Sequence, residues 1–175
     1  MKKKILIRGP ILSQSGYGEQ ARFAMRAIQS RSDLFEIYLL PLNWGSTGWV
    51  SLDNEERAWI DERIKATHAH TQQGGTFDVS IQVTIPNEFE RIAPVNIGYT
   101  AGIETTKVAA VWLQKVNEMN KIIVVSNHSK DVFEDTVYTG QHPTTGASLK
   151  LTCNVPVNVV NYPVRDFKKE KVNLN

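Results

Sequence analysis

"IRGPILSQSGYGEQARFAMRAI", residues 7–28, runs from an apolar strand through a glycine-bearing turn straight into a helical pattern. Ala21, Met25 and Ile28 recur at spacings of three and four, the mark of a helix with one buried face. A strand joined to a helix in this way aims free N–H groups past the strand's carboxyl end, where an anion or a hydroxyl can be held. The same glycines also suit a purely structural turn, and from the turn alone both readings stay open.

The alternation continues along the chain. Residues 4–8 form the strand that enters the turn, and 35–40 a second strand, followed by the loop "PLNWGSTGWVS". Asp53 is expected to cap a helix over 54–67 whose apolar side is Trp59, Ile60 and Ile64. "FDVSIQVT" alternates with period two, and "APVNIGYTA" follows as a strand with no helix between them. Thr105 or Thr106 is expected to cap a helix carrying Val108, Val111, Trp112, Val116 and Met119. "IIVV" at 122–125 is apolar throughout, as in a parallel strand covered on both faces, and Ser126 caps a helix over 130–137. "YTGQHPTTGASLKLTCN" reads as a small hairpin excursion near 138–152, and "VPVNVVNYPV" as a last strand.

This order predicts an α/β fold: a doubly wound, mainly parallel Rossmann-like sheet with helices on both faces. Ligands on such sheets sit outside the strand carboxyl ends. Here those ends gather residues 8–18, 40–44, 84–87, 99–104 and 126–128.

Composition narrows the function. The chain has 175 residues, 41% hydrophobic and 22% charged, enough for one domain with a core and too few for two ordinary ones. A net charge of +2 gives no electrostatic case for nucleic acid or an acidic membrane. Lys2, Lys3 and Lys4 at one end and Lys168, Lys169 and Lys171 at the other read as solvated termini. The single Cys153 cannot form an intramolecular disulfide and fits a reducing compartment, where it serves as a small buried hydrophobe. The apolar run Ile5-Leu6-Ile7 is too short for a signal peptide, and no stretch has transmembrane length, so a cytoplasmic location is expected. His68 and His70 lack a third ligand at metal spacing, and no metal is expected.

The turn itself excludes one phosphate motif and weakens another. A P-loop needs Lys-Ser or Lys-Thr after its second glycine, and none follows Gly9 or Gly16. A dinucleotide fingerprint needs a third glycine, where Ala21 stands, and an acid ending the second strand, where "YLLPLNW" has none. What remains is a glycine turn able to meet a diphosphate or a sugar hydroxyl.

Taken together, "GP…SGYGEQARFAMRAI", "FDVSIQVTIPNEFE", "VNIGYTAGIETTKVAAVWLQKVNEMNKIIVVSNHSKDVFE" and "PVNVVNYPV" resemble the N-terminal domain of GT-B fold glycosyltransferases, the retaining "glycosyl transferases group 1" set. The resemblance implies an acceptor-side domain over 1–165, with 166–175 as the start of an interdomain linker or tail. The C-terminal donor-binding domain that would hold the nucleotide is then expected to be absent, and the chain inactive by itself. It further implies a nucleotide-sugar as substrate, no tightly bound cofactor, a carbohydrate or other acceptor, and the missing domain or a docking partner beside it.

On this reading Gly16, Tyr17 and Gly18 form the donor-facing turn, and Gln20 points into the cleft. Glu104 is the candidate catalytic acid, as a base or acceptor ligand, or else a helix-start acid. Thr100 and Thr105 either bind a sugar or serve backbone groups. Asn127 and His128 follow a buried strand, and Trp44 or Trp49 offers an aromatic face to a sugar. Arg8 either offsets phosphate charge or pairs with a neighbouring acid. Two alternatives remain: a non-catalytic carbohydrate- or partner-binding module, and a small nucleotide-binding Rossmann or flavodoxin-like protein.

Overall fold

The fold was read from a computed structural model, which describes residues 2–50, 52–141 and 144–163. The tail expected over 166–175 lies outside the described residues.

The first strand, β1 (Lys3–Gly9), buries Ile5, Leu6 and Ile7 on both faces, as a strand flanked by neighbours must. It pairs in parallel with β2 (Phe35–Pro41) on one side and β3 (Val79–Val83) on the other. β4 (Val95–Tyr99), β5 (Lys121–Val124) and β8 (Val157–Val159) extend the sheet, giving the order β2-β1-β3-β4-β5-β8, all parallel. β6 (Tyr138–Gln141) and β7 (Ser148–Leu151) form the separate antiparallel hairpin. The sheet is thus the expected α/β architecture, hairpin included.

Strand alternation sorts the core into two layers. Helix α1 (Gly16–Gln29) lays Ala21 and Met25 on Ile5, Ile7, Ile81 and Val83. On the opposite face α3 (Ala110–Val116) and α4 (Asn127–Asp135) bring Leu113, Val116, Val132 and Phe133 around Ile122 and Val124. Helix α2 (Glu55–Gln72) guards the outer strand: Leu39 N–H donates to Thr67 Oγ1 at 2.8 Å, satisfying an edge donor.

Four helix starts differ from expectation, one being α4, which begins at Asn127 directly after its Ser126 cap and not at 130. The apolar spacing predicts the first helix over 18–30, but its cap is Ser15, whose side chain accepts from Gly18 N, so α1 begins at Gly16. Asn54, not Asp53, caps α2, which runs on to Gln72. Neither Thr105 nor Thr106 caps α3; it begins after Ala109 without a side-chain cap, because Val108 is anchored instead through Thr136 Oγ1.

The step from β3 to β4 contains only a 3-10 turn, Pro86–Glu88, where a doubly wound sheet usually carries a helix. Side chains from the sheet take over the hydrogen bonds that helix would have made. Gln82 Oε1 accepts from Glu90 N at 3.0 Å, and Asn96 Oδ1 accepts from Ile92 N and Ala93 N at 2.9 and 3.0 Å. Ser80 Oγ donates to the same Asn96 oxygen at 2.8 Å, so the buried polar ladder is also self-satisfied.

Candidate functional site

The order in which strands are added switches side between β1 and β3, and the loops leaving those two carboxyl ends diverge there, which is where ligands bind on such sheets. The α1 turn stands at this point. A helix start leaves four N–H groups without intrahelical acceptors. Ser15 takes one of them, Gly18 N, through its hydroxyl at 3.0 Å, while its carbonyl accepts the first intrahelical bond, from Glu19 N at 2.9 Å. The N–H groups of Gly16 and Tyr17 have no acceptor within the helix, and Gly16 is exposed.

The two glycines have different reasons. A Cβ on Gly18 would lie 2.1 Å from the Ser13 carbonyl oxygen, so glycine there is demanded by the loop folding back on the helix. A Cβ on Gly16 would meet nothing within 4 Å, and Gly16 therefore borders open space.

Tyr17 organises the crevice. Its hydroxyl lies 2.8 Å from Thr100 Oγ1 and accepts from Ala101 N at 3.2 Å, tying α1 to the end of β4. Its ring packs 4.9 Å from Trp44, at the end of β2. Burial raises the Tyr17 phenol above its ordinary value, Thr100 and Ala101 oppose this, and the charge of nearby Glu88 adds to it. The group stays neutral at physiological pH and acts as a hydrogen-bonding hydroxyl.

Of the residues named from sequence, Tyr17, Trp44 and Thr100 are brought together beside Gly16. Gln20 is fully buried under Tyr162, whose hydroxyl donates to Gln20 Oε1 at 3.1 Å, and its Nε2 has no partner. Glu104 and Thr105 sit exposed on the loop after β4, where Thr105 Oγ1 donates to the Lys107 carbonyl. Asn127 and His128 are exposed at the start of α4. That helix start touches the same loop, with Ser129 Oγ donating to the Ala101 carbonyl at 3.3 Å.

Glu88 was not singled out from sequence. It lies on the 3-10 turn after β3, half-buried, with its carboxylate held by Thr84 Oγ1 and its backbone carbonyl accepting from Arg8 at 2.8 Å. The only sequence signal was its nearness to a strand carboxyl end. Ser13 and Thr47, whose hydroxyls meet at 2.6 Å, join across 34 residues of sequence and were equally invisible.

The cations near the turn are already engaged. Arg8 bonds Gln82, the Glu88 carbonyl and exposed Glu90, so it pairs with a neighbouring acid. Arg22 donates to the carbonyls of Ile11 and Ser13 and pairs with Glu19. Partial burial would raise the Glu19 carboxyl, but Arg22 and Arg26 hold it below the ordinary carboxylate value.

Other chemistry-bearing residues have structural work elsewhere. His70 stacks on Tyr38 at 4.7 Å. Cys153 packs on the second core layer, and burial pushes its thiol up, away from nucleophilic use. No group of three or more His, Cys, Asp or Glu side chains able to hold a metal occurs among the described residues. Among them, too, no helix is long and apolar enough to cross a membrane. Beyond the crevice, an apolar groove of about 640 Å³ runs along α1, floored by Ile81, Tyr99 and Ile123. Comparison with known proteins finds no match: no protein family, no curated protein and no solved structure.

Proposed function

We propose that this chain is the acceptor-side domain of a cytoplasmic sugar-transferring enzyme of the GT-B kind, using a nucleotide-sugar whose nucleotide is held by another domain. The observation that carries this reading is the meeting of the α1 turn with an aromatic and hydroxyl surface at the β1/β3 switch point, where Tyr17 packs on Trp44 and bonds Thr100. Aromatic faces with a few fixed polar groups suit a sugar ring. A diphosphate calls for free arginines or lysines, and Arg8 and Arg22 are both engaged, so the turn is read as meeting sugar hydroxyls.

The domain's part in the reaction is then positioning, with the acceptor hydroxyl set against the donor carbon by the Tyr17 hydroxyl and the N–H groups of Gly16 and Tyr17, while buried Thr100 fixes Tyr17 from behind. Glu88, half-buried and fixed by Thr84, joins exposed Glu104 as a carboxylate at these strand ends able to accept a hydrogen bond from an acceptor hydroxyl. Stabilising the departing diphosphate belongs to the other domain.

A second reading is favoured by one feature. The order β2-β1-β3-β4-β5 is that of flavodoxin-like sheets, which hold a flavin nucleotide at the same switch point. Calorimetric titration with nucleotide-sugars, methyl glycosides, FMN and NAD separates the two. Sugar-bearing ligands are expected to bind, and the isolated chain to leave nucleotide-sugars unconsumed. Tight FMN or NAD binding without sugar binding would establish the second reading, and turnover by the chain alone would overturn the division of labour proposed.

A further inference from the structure

Beside the crevice, the loops after β1 and β2 enclose a cavity of about 230 Å³, walled by Leu12, Ser13, Asn43, Trp44, Thr47 and Trp49. The loops are clamped to each other. Val50 N donates to the Leu12 carbonyl and Gln14 N to the Gly48 carbonyl, both at 2.8 Å, and Gln14 Nε2 donates to the Trp49 carbonyl at 2.9 Å. An antiparallel bridge joins Ser13 to Trp49. Gly45, at φ 52°, makes the bend that brings the second loop back, a conformation that disfavours other residues. The cavity is therefore built before any ligand arrives, so little ordering cost opposes binding.

Its lining specifies a ligand. No side chain that walls it is ionisable, so a charged molecule would lose hydration without gaining an opposite charge. Trp44 is braced from behind by Tyr17, and Trp49 is 58% exposed, a large apolar face left to water. The hydroxyls form a fixed chain: Ser13 Oγ lies 2.9 Å from Ser15 Oγ, and Thr47 Oγ1 donates to the Trp44 carbonyl at 2.8 Å. Each hydroxyl oxygen keeps acceptor capacity, and the Asn43 amide adds donors and an acceptor. A ring with C–H groups on its face and hydroxyls around its edge matches both features. The volume falls below the roughly 300–1,000 Å³ of pockets for drug-sized ligands, which limits the occupant to one ring.

We propose that this cavity binds a single neutral sugar ring, stacked on Trp49 or Trp44 and hydrogen-bonded to Ser13, Thr47 and Asn43. The inference rests on the sugar-transfer reading for its meaning, the ring being the terminal residue of the acceptor. The test is an NMR titration of the wild-type chain with neutral methyl hexosides, following the indole N–H signals, alongside glucose 6-phosphate and glucuronate. At least one neutral glycoside is expected to shift the Trp44 and Trp49 signals and to bind more tightly than the charged sugars. Trp49→Ala and Thr47→Val should each weaken it roughly tenfold. Both changes lie in a surface loop, and thermal unfolding of each variant checks that the fold is kept. Tighter binding of the charged sugars, or binding unchanged in both variants, overturns the assignment. If neutral sugars shift Tyr17 and Thr100 but are indifferent to Trp49→Ala and Thr47→Val, the cavity assignment falls while the transfer reading stands. If no sugar binds and FMN or NAD does, both fall.

Discussion

At the scale of single residues, the α1 turn divides its glycines between architecture and ligand. Gly18→Ala drives a Cβ into the Ser13 carbonyl and should cost about 1–3 kcal/mol of stability in denaturant unfolding. Gly16→Ala meets open space and should stay within about 0.5 kcal/mol, so any loss of ligand binding in that variant reports on the site. Gln20 gives the opposite test. Its buried Nε2 is unpartnered while its Oε1 accepts from half-exposed Tyr162, so Gln20→Met removes a desolvated donor and one hydrogen bond together and should change stability by no more than about 1 kcal/mol. A loss above about 2 kcal/mol would show that the amide has a partner in solution. The sequence identified the turn but could not separate these roles, because the carbonyl that excludes a side chain at Gly18 comes from the fold of the preceding loop.

Among the elements, two couplings hold the site's supports in place. Asn96 stands in for the missing β3–β4 helix, and Asn96→Ala strands the N–H groups of Ile92 and Ala93, at an expected cost of about 2–4 kcal/mol. Arg26 joins α1 to α2, with Nε 2.5 Å and Nη2 2.9 Å from the two Glu56 oxygens and Nη1 3.3 Å from Glu19. Arg26 holds the Glu56 carboxyl below its ordinary value, against partial burial. Both glutamates are depressed in the folded state, so they add stability above the ordinary glutamate value of about pH 4.3, lost as pH falls through the lower folded-state values. These pairs are partly exposed and screened, so Glu56→Gln should cost only about 0.5 kcal/mol at neutral pH. The wild-type–variant difference should vanish on acidification, as a denaturation series across pH can check. Element order was legible because apolar runs and helical spacing are local signals. The start of α3 was not, since it is set by Thr136, a partner 28 residues away from Val108.

Across the whole molecule, parallel pairing in the order β2-β1-β3-β4-β5-β8 brings the ends of β1, β2, β3 and β4 to one crevice. Tyr17, Trp44 and Thr100 were legible as residues at strand ends. Their contact was not, nor was the part played by Glu88, Ser13 and Thr47, because strand order decides which ends are neighbours. The reading of this crevice as one half of a sugar-transfer site is tested most directly by NMR titration of the chain with nucleotide-sugars, with the matching nucleoside diphosphates and with methyl glycosides. Sugar-bearing ligands should shift the signals of Gly16, Tyr17 and Thr100, while the bare diphosphates leave them nearly still. Equal shifts from the bare diphosphates, or no response to any sugar, would contradict it.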